Sequence, residues 1–311
     1  MNQIKRFLKR IDILKRLWRR TNIFYEVLLT KVSPVLASKR LYRRQFGQSL
    51  DLENPKDFNE KLMWLKLFWR HPLVSKCADK YAVREYVKAR GCDSALNVLY
   101  GVYDTVDEIE WDKLPNRFAL KCTHGCGSNI ICEDKSKLQK EEVFDNLRKW
   151  MNTNYSYPAA EIHYSSIKPR IIFEKFIENR AGPLPIDYKI YCFNGVAKII
   201  LVCSDRSTDL KLDWVDLQWN RMDIGAKRLL DEPLPQKPDC LSAMLDYAER
   251  LAKPFPFVRV DFYDNNSVPV LGELTFTPYG CIAPYYNKYG LQLLGDMLFL
   301  PKKLTRRSLL M

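Results

Sequence analysis

Two carboxylates lie inside apolar, strand-like segments in the last quarter of the chain. Asp261 alternates with Arg259 in VRVDFYD, so both side chains are expected on one face of a strand. Glu273 alternates with Thr275 in GELTFTPYG in the same way, and the turn DNNS between the two segments predicts a hairpin. Such carboxylates usually have a cation or a metal as partner. The pair therefore suits Mg²⁺ that bridges triphosphate oxygens, with Arg259 beside a transferred phosphoryl group. The alternatives are a solvated strand face and a buried Arg–Asp ion pair.

A second group of chemically active residues lies in KCTHGCGSNIIC, at 121–132. Four of them carry the soft side chains that zinc prefers: Cys122, His124, Cys126 and Cys132. Their spacing, C-x-H-x-C, is a poor match to a common tetrahedral shell, and no second Cys/His pair follows at a recognised spacing. A Cys/His nucleophile would need an orienting third residue, and the sequence identifies none. Zinc binding and nucleophilic catalysis are therefore the weaker interpretations.

The same segment has the composition of a phosphate-binding loop. Gly125, Gly127 and Ser128 leave backbone N–H groups free to point at an anion. Lys121 stands at the end of the preceding strand as a point charge. The Walker A pattern G-x-x-x-x-G-K-[ST] does not occur. A short glycine loop is weak evidence alone, so this interpretation depends on the segments that follow it.

Two strand-like segments between the loop and the carboxylates support a nucleotide site. IIFEKFIE carries Glu174 in a strand whose backbone groups could meet the edge of an adenine ring. In the next strand, Asp187 and Lys189 place a carboxylate and an amine on one face. The glycine loop is thus followed by two strands and a carboxylate hairpin that could together form a nucleotide-binding site.

The elements that must position these residues indicate an α+β chain with antiparallel hairpins. Asn194 and Gly195 predict a type I′ turn between two strands. The predicted helix boundaries are an Asp57/Glu60 capping box, a stop at Gly91, a start at Ser136 and Gln139, and a cap at Asp239. Strands and helices do not alternate regularly as in a βαβ fold.

Composition and cysteine usage are those of a soluble intracellular protein. The chain has 311 residues, of which 47% are hydrophobic and 28% are charged. It has no apolar run of about 18 residues and no signal-peptide core of roughly 7–15 apolar residues. The nine cysteines are scattered, and several lie in apolar strands. This pattern favours reduced thiols and a cytoplasmic location over a disulfide framework.

The net charge of +13 is concentrated at the two ends of the chain. Residues 1–44 hold thirteen basic side chains against Asp12 and Glu26, and four more basic residues lie at 302–307. Apolar residues between Ile4 and Trp18 recur at helical spacing, which predicts a basic amphipathic helix. Such a helix would bind an anionic membrane surface or a partner protein, or pack on the body of the molecule. No nucleic-acid motif accompanies the charge, so nucleic acid is the least favoured partner.

Taken in order, KCTHGCGSN, IIFEKFI, DYKIYCFNG, VRVDFYD and GELTFTPYG resemble the ATP-grasp superfamily. Within it the chain is most similar to the TupA-like family, which is associated with teichuronopeptide and cell-surface polysaccharide assembly. The resemblance covers about residues 55–300 and includes FNEKLMWLK near its start. It implies an ATP-grasp fold, in which two α+β lobes with antiparallel sheets enclose a nucleotide cleft behind the basic helical N-terminus.

The resemblance also implies a division of the chain into five parts. These are a basic amphipathic segment (1–44), an N-terminal lobe (45–120), a nucleotide-clamping subdomain (121–185), a catalytic and metal-binding lobe (186–300) and a basic tail (301–311).

The resemblance implies site residues by position. The residues expected to bind ATP are Lys121, His124, Gly125, Gly127, Ser128, Asn129, Glu174, Lys175, Phe176, Ile177 and Asp187. The implied catalytic residues are Lys189 near the phosphates and Arg259 near the γ-phosphate. Mg²⁺ would be held by Asp261, Glu273 and Thr275, although the family usually has Glu-x-Asn where this chain has Glu-x-Thr. A second departure is Cys281 after Gly280, where family members often have another glycine.

The implied activity is that of a carboxylate–amine ligase that forms an amide through an acyl-phosphate. Its substrates would be an amino acid and an acidic sugar or glycan of a capsule, exopolysaccharide or O-antigen. Alternatives are a sugar or glycan kinase of the same fold, a glycosyltransferase of the same pathway, and a non-catalytic adaptor. Asp-x-Asp, common in metal-dependent glycosyltransferases, does not occur.

Tyrosine-rich segments predict an acceptor groove, because aromatic rings suit sugar rings. The candidate substrate residues are His163, Tyr164 and Tyr279. Tyrosines at interfaces between lobes are the alternative. Other polysaccharide-assembly proteins and the inner face of the cytoplasmic membrane are the further expected partners.

Overall fold

The computed structural model describes residues 21–178, 185–205, 209–226 and 229–302. The predicted helix between Ile4 and Trp18 and most of the basic tail lie outside the described residues. The helices are α1 (21–32), α2 (Pro34–Phe46), α3 (Phe58–Phe68), α4 (Pro72–Ala78), α5 (Val83–Ala89), α6 (Lys140–Met151), α7 (Leu241–Ala252) and α8 (Lys288–Met297). The strands are β1 (Leu99–Tyr103), β2 (Phe118–Cys122), β3 (Asn129–Cys132), β4 (Ile171–Lys175), β5 (Asp187–Phe193), β6 (Val196–Ser204), β7 (Lys211–Val215), β8 (Phe257–Asp264) and β9 (Pro269–Thr275).

The strands form two antiparallel sheets. A 4-stranded sheet has the order β1-β4-β2-β3, and a 5-stranded sheet has the order β7-β6-β5-β8-β9. Every pairing between these strands is antiparallel. The predicted α+β class is therefore confirmed. The expected boundary between residues 120 and 121 falls within β2, and the division of the chain into parts stays a prediction.

The predicted hairpins form as expected. Asn194 and Gly195 have φ values of 50° and 82°, which are the left-handed conformations that a type I′ turn requires. In the second hairpin, β8 and β9 pair with Asp261 directly opposite Glu273. The two predicted metal ligands are thus cross-strand neighbours.

The helix boundaries agree with the sequence at two places. The Asp57 carboxylate accepts a hydrogen bond from the Glu60 amide at 2.9 Å, but Glu60 binds the amides of Asp51 and Lys56 instead of completing a capping box. Gly91 follows α5 with φ of 63° and so ends it in the predicted way.

Two predicted helix caps are wrong. The helix expected to start at Ser136 begins only at Lys140, because Ser136 lies in a 3₁₀ turn and donates a hydrogen bond to Asp134 at 2.7 Å. α7 begins at Leu241 without a side-chain cap, and the Asp239 carboxylate accepts from the Ser267 hydroxyl at 3.1 Å instead.

Helices cover both faces of the five-stranded sheet. On one face, Val260 belongs to the same buried cluster as Met244 of α7. On the other face, Tyr191 and Phe257 pack on Phe58 of α3, with 5.2 Å between the ring centroids of Phe58 and Phe257. The four-stranded sheet has its own apolar core against α6. Two hydrophobic clusters therefore stabilise the five-stranded sheet, and a third stabilises the four-stranded sheet.

Candidate functional site

An ion cluster lies on the face of the five-stranded sheet that also carries Tyr191. Side chains alternate along a strand, so Lys189 of β5 and Asp261 of β8 share this face, and the two residues pair directly. Arg259 donates two hydrogen bonds to the Asp261 carboxylate, from Nε at 2.7 Å and from Nη2 at 2.6 Å. Lys189 Nζ donates to Asp261 at 2.8 Å and to Asp187 at 2.5 Å. Asp261 and Asp187 are 1% and 3% exposed, so these two carboxylates are shielded from bulk water.

The cations of this cluster are held in their charged state by the carboxylates. Burial alone would lower the pKa of Lys189, but Asp187 and Asp261 raise it above its ordinary value. Burial would also lower the pKa of Arg259, and Asp261 reverses that effect. Both side chains therefore present full positive charges at neutral pH.

Glu273 and Thr275 extend the cluster onto β9. The Thr275 hydroxyl donates to Glu273 Oε1 at 3.0 Å and accepts from Arg259 Nη2 at 3.1 Å. Lys80 Nζ lies 3.8 Å from Glu273 Oε2. Although burial raises the pKa of Glu273, the cations Lys80, Arg259 and Lys189 hold it at about 2. Glu273 is therefore an ionised carboxylate directly opposite Asp261.

A second set of ion pairs is centred on Glu174 of the four-stranded sheet. Lys121 Nζ donates to Glu174 Oε2 at 2.8 Å, and Arg84 Nη1 donates to Glu174 Oε1 at 3.3 Å. Burial would lower the pKa of Lys121, and Glu174 raises it. The Glu174 side chain thus anchors two cations, a role that the sequence did not suggest.

A cleft of about 260 Å³ lies between the two sheets. It is lined by Lys121 and by Tyr263 of β8, which come from different sheets. Five residues expected to bind ATP line it: Lys121, Asn129, Lys175, Phe176 and Ile177. Its apolar lining includes Ile131, Phe176 and Ile177, which suits a flat aromatic ring. The structure therefore brings these residues into one cleft, and their binding role stays a prediction.

The loop after β2 is fixed from both sides. Lys80 Nζ donates to the Gly125 carbonyl at 2.5 Å, and the Tyr155 hydroxyl bonds to the Ser128 hydroxyl. A Cβ on Gly125 would lie 2.4 Å from the Tyr155 ring, so only glycine permits this approach. Gly127 has φ of 70°, and a Cβ there would have no neighbour within 4 Å.

His124 is not among the residues of the cleft. Its Nε2 lies 3.2 Å from the carbonyl oxygens of Trp150 and Thr153, at the end of α6. Burial lowers the pKa of His124, so the ring is neutral at neutral pH. Cys122 and Cys132 are buried and Cys126 is exposed, and these residues are not part of any three-residue group in the described chain that could hold a metal ion.

Comparison with known proteins identifies the family. The model of the TupA-like ATPgrasp family matches residues 60–299. The chain belongs to the TupA-like ATP-grasp family. The resemblance seen in the sequence and the ATP-grasp fold are thereby confirmed. No curated protein matches the chain.

Solved structures with a similar fold include two ligases from Bacillus. L-amino acid ligase from Bacillus licheniformis is 14% identical, with a TM-score of 0.45, over 80% of this chain and 53% of that chain. D-alanine–D-alanine ligase from Bacillus anthracis complexed with ATP is 12% identical, with a TM-score of 0.38, over 77% of this chain and 62% of that chain. This ATP-grasp chain thus spans less than two thirds of the length of either.

The carboxylates of the ATP-grasp chain meet the requirements of Mg²⁺. Among the residues that the structure describes, no three His, Cys, Asp or Glu side chains form a metal site. Mg²⁺ needs only one or two carboxylates, with substrate phosphates and water completing its shell. Asp261 and Glu273 face each other across β8 and β9, and Thr275 adds a hydroxyl oxygen beside Glu273. The donor set therefore fits this ion.

Sequence reasoning missed two basic residues of the candidate site. Lys80 connects the loop at Gly125 to Glu273, and Arg84 binds Glu174. Both lie in ADKYAVREYV, shortly before the predicted helix stop at Gly91. Their basic character was visible, but the strands that they meet are far away in the chain.

The predicted substrate residues fall in two places. His163 and Tyr164 lie in the 3₁₀ turn Ile162–Ser166, with their ring centroids 4.2 Å apart. Tyr279 is 62% exposed and lies beside Tyr285, at a centroid distance of 5.9 Å. His163 lines a separate cavity that does not include Tyr279.

Proposed function

We propose that this ATP-grasp enzyme is an ATP-dependent ligase that joins a carboxylate to an amine through an acyl-phosphate. The observation that supports it best is the Arg259–Asp261–Glu273 cluster, which lies on the same sheet as Tyr263, a residue that lines the cleft. Adenine would occupy the cleft between the sheets, beside Phe176 and Ile177. The phosphates would then point toward Lys189 and Arg259.

The cations of the site are preorganised for a phosphate chain. Lys189 and Arg259 are bound to carboxylates, so their positions are fixed before any anion arrives. Arg259 uses Nε and Nη2 for Asp261, and its Nη1 would meet a phosphoryl oxygen. Fixed charges of this kind stabilise developing negative charge without a reorganisation cost. Mg²⁺ on Asp261 and Glu273 would supply further charge neutralisation.

The reaction would need no nucleophile from the protein. The substrate carboxylate would attack the γ-phosphorus of ATP and release ADP, and the amine would then displace phosphate from the acyl-phosphate. Burial raises the pKa of Cys122 to about 11 and that of Cys281 to about 12, so neither thiol is a thiolate at neutral pH. Catalysis would therefore consist of positioning and electrostatic stabilisation.

We further propose that the acid is an acidic sugar or glycan and that the amine is an amino acid. The description of the family as TupA-like and the basic ends of the chain support an acidic, envelope-related substrate. Assembly proteins of a surface polysaccharide would be the partners.

Attachment to the inner face of the cytoplasmic membrane is part of the same proposal. Phe24, Leu28 and Val32 of α1 are 71%, 52% and 74% exposed, and their spacing of four residues puts them on one side of the helix. The opposite side of α1 is fixed by Glu26, which is 3% exposed and binds Arg40 at 3.0 Å. An apolar strip beside many basic residues suits the surface of an anionic bilayer.

No helix within the described residues is both long and apolar enough to cross a membrane.

Hydroxylamine trapping tests the reaction type. The purified protein would be incubated with Mg²⁺, ATP and uronic acids, with hydroxylamine in place of the amine. A ligase would release phosphate and form a hydroxamate, because hydroxylamine attacks an acyl-phosphate. A kinase that acts on a hydroxyl group would form a stable phosphate ester and no hydroxamate. Absence of Mg²⁺-dependent ATP binding would overturn the proposal as a whole.

A further inference from the structure

A cavity of about 170 Å³ lies outside the nucleotide cleft, where α3 and the start of α4 face the turn Ile162–Ser166 and the segment after β9. Its apolar wall includes Trp69, Phe257 and Phe276. Its polar groups include Lys66, His163 and Thr277. Clefts for drug-sized ligands measure about 300–1,000 Å³, so this cavity suits one small molecule.

The cavity adjoins the predicted reaction centre along the sheet. Phe257 precedes Arg259 and Asp261 by two and four positions, so it lies on the same face of β8. Thr277 follows Glu273 by four positions, which corresponds to at most about 13 Å of extended chain. A ligand in the cavity would thus lie within about the length of a small molecule from the Asp261 and Glu273 carboxylates.

Lys66 is a buried ammonium group with only neutral hydrogen-bond partners. Its Nζ donates to the carbonyl oxygens of Ala159 at 3.0 Å and Gly280 at 3.3 Å. No ion pair of Lys66 occurs within the described chain. Burial lowers its pKa, and the nearby Glu161 offsets this only in part. A lysine has three donors, so one remains for an anionic ligand, whose charge would compensate the buried ammonium.

His163 supplies a second unsatisfied group. Its Nε2 is buried and has no hydrogen-bond partner among the described residues. Burial lowers the pKa of His163 to about 3, so the ring is neutral at neutral pH and can accept or donate one hydrogen bond there. Buried polar atoms are rarely left unpaired, which points to a ligand in the cavity.

We propose that this cavity binds the amino-acid substrate of the ligase, with the α-carboxylate on Lys66, the amino group toward His163 Nε2 and the side chain against Trp69 and Phe276. The assignment rests on the proposed function, which requires an amine substrate beside the acyl-phosphate. An amino acid carries both a carboxylate and an amine, so one molecule would pair with Lys66 Nζ and with His163 Nε2. Lys66 and His163 are binding and positioning residues in this arrangement.

Isothermal titration calorimetry on the full chain tests the assignment. Glycine, L-alanine, L-glutamate, L-lysine, L-phenylalanine and glucuronate would each be titrated, with and without Mg²⁺ and a non-hydrolysable ATP analogue. At least one amino acid is expected to bind and glucuronate is not. Lys66→Met should raise the Kd of that amino acid about tenfold or more, because a charge-assisted hydrogen bond is lost. Lys76→Met is the matched control, since Lys76 is a partly exposed lysine of α4 that pairs with Glu85 at the surface.

The Kd of the ATP analogue separates this inference from the proposed function. This Kd should be unchanged in Lys66→Met. His163→Ala should weaken binding of the amino acid but not of the ATP analogue, and it provides a second variant if Lys66→Met does not fold. Amino-acid binding that survives both substitutions would overturn the assignment, as would Lys66-dependent binding of glucuronate. Binding of the analogue but of no amino acid would also overturn it and leave the ATP site intact. Failure to bind the analogue would instead refute the proposed function.

Discussion

Replacing Asp261 by Asn tests two roles that we propose for this carboxylate, in stability and in ATP binding. Asp261 accepts hydrogen bonds from Arg259 at 2.7 and 2.6 Å and from Lys189 at 2.8 Å, and it is 1% exposed. Removing one partner of a buried ion pair costs about 3–5 kcal/mol. Asn keeps one acceptor oxygen and Asp187 still binds Lys189, so we expect the free energy of unfolding to fall by about 3 kcal/mol.

A carboxylate of the same sheet provides the control. Asp213 of β7 is 0% exposed and binds Arg221 at 2.8 Å, outside the proposed site. Arg221 is partly exposed, so Asp213→Asn should cost less, about 1–3 kcal/mol. Both variants therefore lose stability, and only Asp261→Asn should lose the metal-dependent site.

Urea unfolding with and without ligand measures both effects. At an ATP concentration of about 100 times Kd with excess Mg²⁺, the free energy of unfolding rises by about 2.7 kcal/mol if only the folded state binds ATP. The wild type and Asp213→Asn should show this gain, and Asp261→Asn should show none. An equal gain in Asp261→Asn would refute the metal-binding role of this carboxylate. A loss of the gain in Asp213→Asn would show that general destabilisation explains the effect.

Three further predictions follow from the same contacts. Glu273→Gln should abolish hydroxamate formation. Because cations hold the pKa of Glu273 at about 2, below its ordinary value of 4.5, the wild type should lose stability as the pH falls from about 5 toward 2. Urea titrations at pH 5 and pH 3 should show a smaller loss of stability in the variant. Gly125→Ala places a Cβ 2.4 Å from the Tyr155 ring and should raise the Kd of ATP, and Tyr155→Ala should partly restore binding if the clash is the cause. Replacing Phe24 and Leu28 by Glu should reduce binding to anionic vesicles in a flotation assay, and unchanged flotation would mean that α1 does not contact the lipid.

Local features of the fold were predictable because their causes are local. The Asn194-Gly195 turn needs two residues that tolerate positive φ, and this dipeptide provides both. Alternation along β8 and a short turn were enough to place Asp261 opposite Glu273. The wrong cap at Asp239 has a longer-range cause, since its carboxylate binds Ser267 in the turn between β8 and β9.

The rest of the site depends on contacts between distant segments. Arg84 and Glu174 are hydrogen-bonded but lie 90 positions apart in the sequence, and Lys121 and Glu174 lie 53 positions apart. Periodicity identifies the helix that carries Arg84 but not the strand on which it packs. The cavity at Lys66 was not predictable for the same reason. The two carbonyl groups that bind Lys66 Nζ are 93 and 214 positions away in the sequence.

The charges of the site balance before any ligand is present, and this balance has a consequence for binding. Lys80, Lys189 and Arg259 face three carboxylates, Asp187, Asp261 and Glu273. ATP alone would add negative charge to a neutral cluster, which a dry site disfavours. Mg²⁺ bound with the nucleotide would offset part of that charge beside Asp261 and Glu273, while Lys189 and Arg259 would keep the positions that their carboxylates fix. Tight binding of ATP should therefore require the metal, whereas the apolar cleft alone would give only weak binding of the adenine ring.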